Sequence, residues 1–342
     1  MRLTGKRGTQ MTEQAKANGG KGASMMRAFV RRTDASAIVA TAILFTLFSL
    51  GTDNFLTSFN QFNVWRAASQ NVFIALGQAM AILVGGMNLS LGAIGGLSVV
   101  VLGHSIEIFG FAPSVAVLLA LSTGALAGLF NGFFITRFKL NSFVVTLASG
   151  FIFQGLVNGI SQGKSYSKIP AGFTLLGKGE SFGIPNMVFL MVLALLIVFV
   201  VFRYTVIGRQ LLATGGNVEA ARLSGIKTSR MIMLANVMSG VLASLAAVIW
   251  VSRMGTAQPA TGGDWLIVSF AVAVIGGTAL SGGVISATGF LFAGLLMALL
   301  RNGLIMLGVN VYFESTFLGV IILLAVLVEY FRSNAAARAK RL

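Results

Sequence analysis

The sequence predicts an all-α membrane protein of about ten transmembrane helices, with the N- and C-termini cytoplasmic. Three observations predict it. Hydrophobic residues fill 56% of 342 positions and charged residues 10%, whereas soluble domains carry about 25% charged residues. The interval Ala67–Gly103 holds no Asp, Glu, Lys or Arg, and it is longer than the roughly 20 apolar residues that cross a bilayer. The basic residues gather in short connections and tails. Eight precede Ala35, two are Arg137 and Lys139, five lie from Arg203 to Arg230, and four follow Phe331. This is the positive-inside bias of cytoplasmic loops. Orientation in a membrane lipid bilayer thus explains the net charge of +16, and the sequence calls for no nucleic acid partner.

Taken in order, residues 1–34 form a basic, Gly-rich cytoplasmic tail. No small-x-small cleavage site follows the first apolar run, so that run reads as an uncleaved helix rather than a signal peptide. Apolar runs of near-spanning length fall at 35–51, 66–86, 88–110, 113–136, 141–160, 186–203, 230–252, 264–282, 285–305 and 316–331. Together 35–331 make one transmembrane domain. With Met1 inside, the basic loops fall inside, as does a second basic cytoplasmic tail at 332–342. Asp53, Glu107, Glu180, Asp264 and Glu314 fall outside. Two connections are long: 161–185 on the outer side and 204–229 on the cytoplasmic side. The rest leave no room for a soluble catalytic domain.

A candidate internal repeat is visible. Gly85-Gly86-Met87-Asn88-Leu89-Ser90-Leu91-Gly92 matches Gly276-Gly277-Thr278-Ala279-Leu280-Ser281-Gly282-Gly283 at five of eight positions. Transporters are often built from repeats with broken helices at the binding site. A chance match in a Gly-rich chain accounts for the echo equally well. At such breaks Gly85, Gly86, Asn88 and Ser90, and Gly276, Gly277 and Ser281, would line a hydrated translocation path. Irregular backbone survives at membrane depth only where protein or water satisfies it. A tight turn with Asn88 at the interface is the other reading of the first break.

The inner connection is the most informative segment. Asn217 suits an N-cap, Glu219 follows in the first turn where the helix dipole favours a carboxylate, and Gly225 supplies a left-handed stop. The residues predict a helix of about two turns, small along its length. It either seats in a partner's groove or merely ties two spans together, and capping alone does not separate the two.

Several features carry no chemistry. Gly163-Lys164-Ser165 looks like the end of a phosphate-binding loop, but the position five before Gly163 is Asn158 and no strand precedes it. With His104 the sole His and no Cys, the sequence offers no metal site. Neither a cofactor nor a catalytic residue is expected. Trp65, Trp250 and Trp265 fall near predicted helix ends, as in an interfacial belt. Every Asp and Glu falls at a helix end, loop or tail, whereas an ion-coupled carrier usually buries a carboxylate. Asn, Gln and Ser read as dispersed, with no polar cluster for an enzyme or scaffold.

The inner connection resembles the coupling loop of the ribose-type (carbohydrate uptake, branched-chain/ribose superfamily) ABC importer permeases, whose usual form is Gly-Gly-Asn-Pro-Glu-Ala-Ala-x-x-Ser-Gly-Ile. The match is carried by Gly215, Gly216, Asn217, Glu219, Ala220, Ala221, Ser224, Gly225 and Ile226; Val218 stands where the family often has Pro. Gly85–Gly92 is similar to the family's Gly-Gly-Ile-Asp-Leu-Ser-Val-Gly, with Asn88 in place of Asp, and Gly276–Gly283 to its Gly-Gly-x-x-Leu-x-Gly-Gly. The resemblance implies a multi-pass permease subunit of an ATP-binding-cassette importer in a bacterial inner membrane. It carries a small sugar or sugar-like solute and pairs with a second copy or paralogue. ABC ATPase subunits power it through the loop residues just named, and an extracytoplasmic solute-binding protein delivers to it. The alternative from another class is an ion-coupled secondary carrier or facilitator, which needs no partner.

Overall fold

The computed structural model describes residues 34–308 together with 313, 316, 317, 319, 320 and 323. The predicted tails, apart from Asp34, and most of the predicted span at 316–331 lie outside the described residues. Among the described residues are twelve helices. They are α1 (Ala35–Gly51), α2 (Ser58–Leu83), α3 (Leu91–Glu107), α4 (Pro113–Arg137), α5 (Ser142–Ser161), α6 (Ala171–Lys178), α7 (Asn186–Tyr204), α8 (Val206–Gly216), α9 (Val218–Leu223), α10 (Thr228–Met254), α11 (Trp265–Ile275) and α12 (Ala287–Met306). A hairpin of β1 (Glu180–Ser181) and β2 (Ile184–Pro185) precedes α7; Phe182 and Gly183 both take positive φ at its turn, as a two-residue hairpin loop requires.

The protein is an all-helical membrane protein. Five helices, α4, α5, α7, α10 and α12, are long and apolar enough to cross a bilayer, and α1, α3 and α11 are shorter apolar helices. Their outward faces are apolar: α7 exposes Phe189, Val192, Leu193, Leu196, Ile197 and Phe199. A helix hydrophobic on its outer face is at home in lipid, not water.

The centre is made by α10, which packs on α4, α2 and α3, and by α2, which packs also on α12 and α11. Small residues make the α10–α4 approach close. A Cβ added to Gly124 would stand 2.2 Å from the Gly240 carbonyl oxygen, and one on Gly128 would stand 2.2 Å from that of Asn236. Such small-residue contacts are how membrane helices gain packing in the absence of a strong hydrophobic drive.

Two central helices do not span. At 1.5 Å per residue, α3 is about 25 Å long and α11 about 16 Å, against a hydrocarbon core of about 30 Å. Irregular segments complete them: residues 84–90 ahead of α3 and residues 255–264 ahead of α11. The two meet inside the bundle, where a Cβ on Gly92 would fall 2.2 Å from the Gly262 carbonyl oxygen. Gly262 has φ +96°, open only to glycine without strain. Trp265, expected in an interfacial belt, is instead buried, with its ring over Gly95 and edge-on to Trp250.

Other boundaries also differ from the sequence reading. The second span begins at Ser58 rather than 66, because its polar first turns are internally satisfied: Asn60 and Gln61 both donate to the Phe55 carbonyl, and Asn60 exchanges hydrogen bonds with Asn302. The predicted 264–282 run stops at Ile275, where Gly277 turns left-handed (φ +84°). The 161–185 connection is partly structured by α6 and the hairpin. It is tied to α10 through Ser252, which donates to the Phe173 carbonyl and accepts from the Gly177 amide. His104, at the end of α3, bonds the Tyr166 hydroxyl at 3.0 Å.

Candidate functional site: the glycine junction and the inner connection

The expected loop helix is present as α9. Asn217 takes an extended backbone and its Oδ1 accepts from the Ala220 amide at 2.9 Å. Glu219 lies in the first turn and pairs with Arg222 at 2.6 Å, both side chains mostly exposed. Gly225 has φ +82°, and the Ile226 amide donates back to the Ala221 carbonyl, closing the helix. One face of the connection is inward: Gly215 and Ala221 are buried. The other is open: Gly216, Asn217, Glu219, Ala220, Ser224 and Gly225 are exposed, Ile226 is half-buried, and Leu223 stands 80% exposed.

The sequence did not disclose α8, which leads into α9. It starts at Thr205, whose hydroxyl accepts from the Gly208 amide, and ends at Gly216. Its last turn is where the three glycine-bearing segments converge. A Cβ on Gly215 would sit 1.7 Å from the Leu83 carbonyl oxygen and 2.6 Å from the Gly283 amide nitrogen. One on Gly282 would sit 2.8 Å from the Gly215 oxygen and 2.9 Å from the Gly85 nitrogen. The Gly283 amide donates to the Leu83 carbonyl at 2.9 Å. The end of α2, the end of α8 and the turn after α11 therefore touch backbone to backbone, with no side chain between them. Interiors packed this closely transmit displacement rather than absorb it.

Beyond this junction the 84–90 segment climbs into the bundle, and its freed backbone groups are met by side chains. The Met87 amide donates to Ser142 Oγ and the Leu89 amide to Thr146 Oγ1, which also donates to the Met87 carbonyl. Asn88 and Ser90 are fully buried. Asn88 donates to Ser239 Oγ at 2.8 Å and accepts from both the amide and hydroxyl of Ser90; Asn131 in turn donates to Ser90 Oγ at 2.8 Å. Polar residues that read as dispersed thus form one cluster tying α3, α4 and α10. In low dielectric such a network is rigid where it is satisfied; Asn131 Oδ1 is left buried without a hydrogen-bond partner. Ser98 and Ser244 add a further link, 2.7 Å apart.

The candidate path residues separate accordingly. Gly85 and Gly86 line a cavity of about 300 Å³ with Met87, Asn141 and Ser142, and Val218 of α9 forms part of its wall. Asn88 and Ser90 hold the break in shape and do not line that cavity. Gly276 packs against Gly289, Gly277 makes the turn, and Ser281 is exposed at that same end. Ser142, Thr146 and Ser239 were missed. The signal for the first two was their spacing of four from each other in the first turns behind Asn141, which caps α5 by accepting from the Phe143 amide.

A helical bundle broken twice at its centre, with a capped connection exposed at one end, is an arrangement that polytopic membrane transport components use. The family described as branched-chain amino acid transport system / permease component matches residues 60–326, and the chain belongs to it. The ribose import permease protein RbsC of Bacillus subtilis (strain 168) is 37% identical over 289 residues, covering 84% of this chain and 89% of that protein. RbsC of Escherichia coli (strain K12) is 33% identical, covering 86% and 92%. The D-allose transport system permease protein AlsC of the same strain is 33% identical, covering 84% and 89%. No solved structure matches the chain. The chain is a non-catalytic, multi-pass membrane permease.

Proposed function

We propose that this permease carries a small sugar or sugar-like solute inward across a bacterial inner membrane, powered by ATPase subunits that seat on the 204–229 connection. The observation that carries the reading is the junction at Gly215: the exposed α9 surface continues through α8 directly into the backbone at the start of the 84–90 break and at the turn after α11. A push on α9 has a short, stiff route to the middle of the membrane. The solute class rests on relatives named for ribose and D-allose. The acidic residues agree with an external power source. Among the described residues Asp34, Asp53, Glu107, Glu180, Glu219 and Asp264 all stand at helix ends or in connections, where a proton or ion relay through the bilayer has no carboxylate to use.

In this reading both termini are cytoplasmic, 316–331 completes ten spans, and an extracytoplasmic binding protein delivers solute to the end that carries α6 and the hairpin. A second copy or paralogue completes the assembly. α5 supports this. It packs on α3 and α4 and leaves Gln154, Gly155, Asn158 and Gly159 exposed along one face. Amide side chains facing hydrocarbon are costly, and a small-polar stripe is a favoured helix contact in membranes. An internal repeat also fits. α2, a break, α3 and α4 follow the same order as α10, a break, α11 and α12, and α2 packs on α12 as α10 packs on α4. In that pairing the counterpart of 84–90 is 255–264, rather than the Gly276–Gly283 echo.

The test of the solute is a ligand screen. The binding protein that co-purifies with this chain is expected to bind one of ribose, allose or xylose, and the same sugar to compete for uptake in cells. Binding confined to amino acids would overturn the sugar assignment.

A further inference from the structure

Arginines gather where α2, α10 and α12 meet, at the end of the bundle away from α8 and α9. Arg253, in the last turn of α10, and Arg301 of α12 line a cavity of about 330 Å³ with Asn63, Trp250 and Asn302. Arg66 of α2 stands near enough to Arg253 for the two like charges to repel, as does Arg301. Lys178 adds a fourth cation, its Nζ 3.0 Å from where a Cβ on Gly255 would lie. The carboxylate that the described residues place against this group is Asp264, 3.8 Å from Arg301.

Arg66 and Arg253 are incompletely satisfied. Arg66 gives one Nη2 bond to the Lys178 carbonyl at 2.5 Å, while its Nε is buried with no hydrogen-bond partner. No described side chain pairs with the Arg253 guanidinium. Guanidinium groups held together in a partly dry site are stable only when something neutralises them. Their planar forks match a tetrahedral oxyanion two oxygens at a time. Trp250 and the apolar stretch of wall formed by Val64 and Ile305 suit a site at the edge of the hydrocarbon.

We propose that the cavity between α2, α10 and α12 is a binding site for a phosphate-type oxyanion, held by Arg253 and Arg301 of its wall, with Arg66 adjoining Arg253 outside the lining. The oxyanion is either the headgroup of an anionic phospholipid or a free phosphate.

The test uses the full chain purified in a neutral detergent. Native mass spectrometry after incubation with phosphatidylglycerol or phosphatidylcholine reads lipid retention, and thermal unfolding in phosphate against chloride at equal ionic strength reads the free anion. Selective retention of phosphatidylglycerol with no phosphate effect assigns the site to lipid. A phosphate-specific rise in unfolding temperature with no lipid selectivity assigns it to the free anion. In whichever arm responds, Arg253→Gln and Arg301→Gln each weaken binding by roughly tenfold or more. Arg253→Lys, which keeps the charge, loses less. Wild-type protein showing neither effect overturns the proposal without recourse to any variant, as do Gln variants that elute as monodisperse wild-type particles and bind as tightly.

Discussion

Replacing Glu219 or Gly225 with tryptophan is expected to abolish solute uptake while the chain still inserts and folds. The folded state has little at stake in either position. The Glu219–Arg222 pair is largely exposed, and exposed pairs contribute about 0–1 kcal/mol. Gly225 has open space around it but φ +82°, so a side chain there costs about 1–2 kcal/mol of local strain without a clash inside the bundle. What both substitutions do change is the face that α9 shows to a partner. Uptake of labelled solute in cells reads the loss. Insertion is read with single cysteines in this cysteine-free chain: one at Phe182, 99% exposed in the hairpin turn, is expected to react with an impermeant maleimide from outside only. Normal uptake by both variants would refute the coupling role of α9.

The neighbouring glycines of α8 are expected to behave in opposite ways. Gly215→Ala places a methyl 1.7 Å from the Leu83 carbonyl oxygen, whereas Gly216→Ala finds nothing within 4 Å. Overpacking against backbone costs about 1–3 kcal/mol, and α8 can relieve it only by lifting off the end of α2. Gly215→Ala is therefore expected to lower the unfolding temperature and to cut uptake roughly tenfold or more, with ATP hydrolysis continuing in the assembled complex. Gly216→Ala removes a glycine from a helix, worth about 1 kcal/mol in propensity, and is expected to leave uptake unchanged. The readout is solute transported per ATP hydrolysed. Equal ratios for the two variants would mean that the Gly215 contact transmits nothing.

The contrast also shows what the sequence could and could not disclose. Spans such as 35–51, 113–136 and 186–203 were legible to within a residue or two because hydropathy and caps act over one or two turns. For the same reason the Asn217 cap, Glu219 and the Gly225 stop were legible: each is satisfied within α9. The junction was not. Gly283 bonds Leu83 across some 200 residues, and no local pattern states which glycine meets which. The Asn88–Ser90–Asn131–Ser239 cluster was hidden likewise, one or two polar residues per segment, joined only by packing. α11 was read too long because Ala279, Leu280 and the surrounding glycines continue its apolar run past the turn at Gly277. α8 was missed because its glycines at 208, 215 and 216 read as loop, though two of them are where α8 presses closest on its neighbours.

In the proposed mechanism energy enters this permease from outside the chain, through α9 and α8. The most direct measurement places the purified chain in liposomes, alone or with its ATPase subunits and binding protein, and follows labelled sugar. Uphill accumulation is predicted only in the full assembly with hydrolysable ATP, and none from the chain alone under a proton or sodium gradient. Accumulation by the solitary chain on such a gradient would contradict the account and identify an ion-coupled carrier.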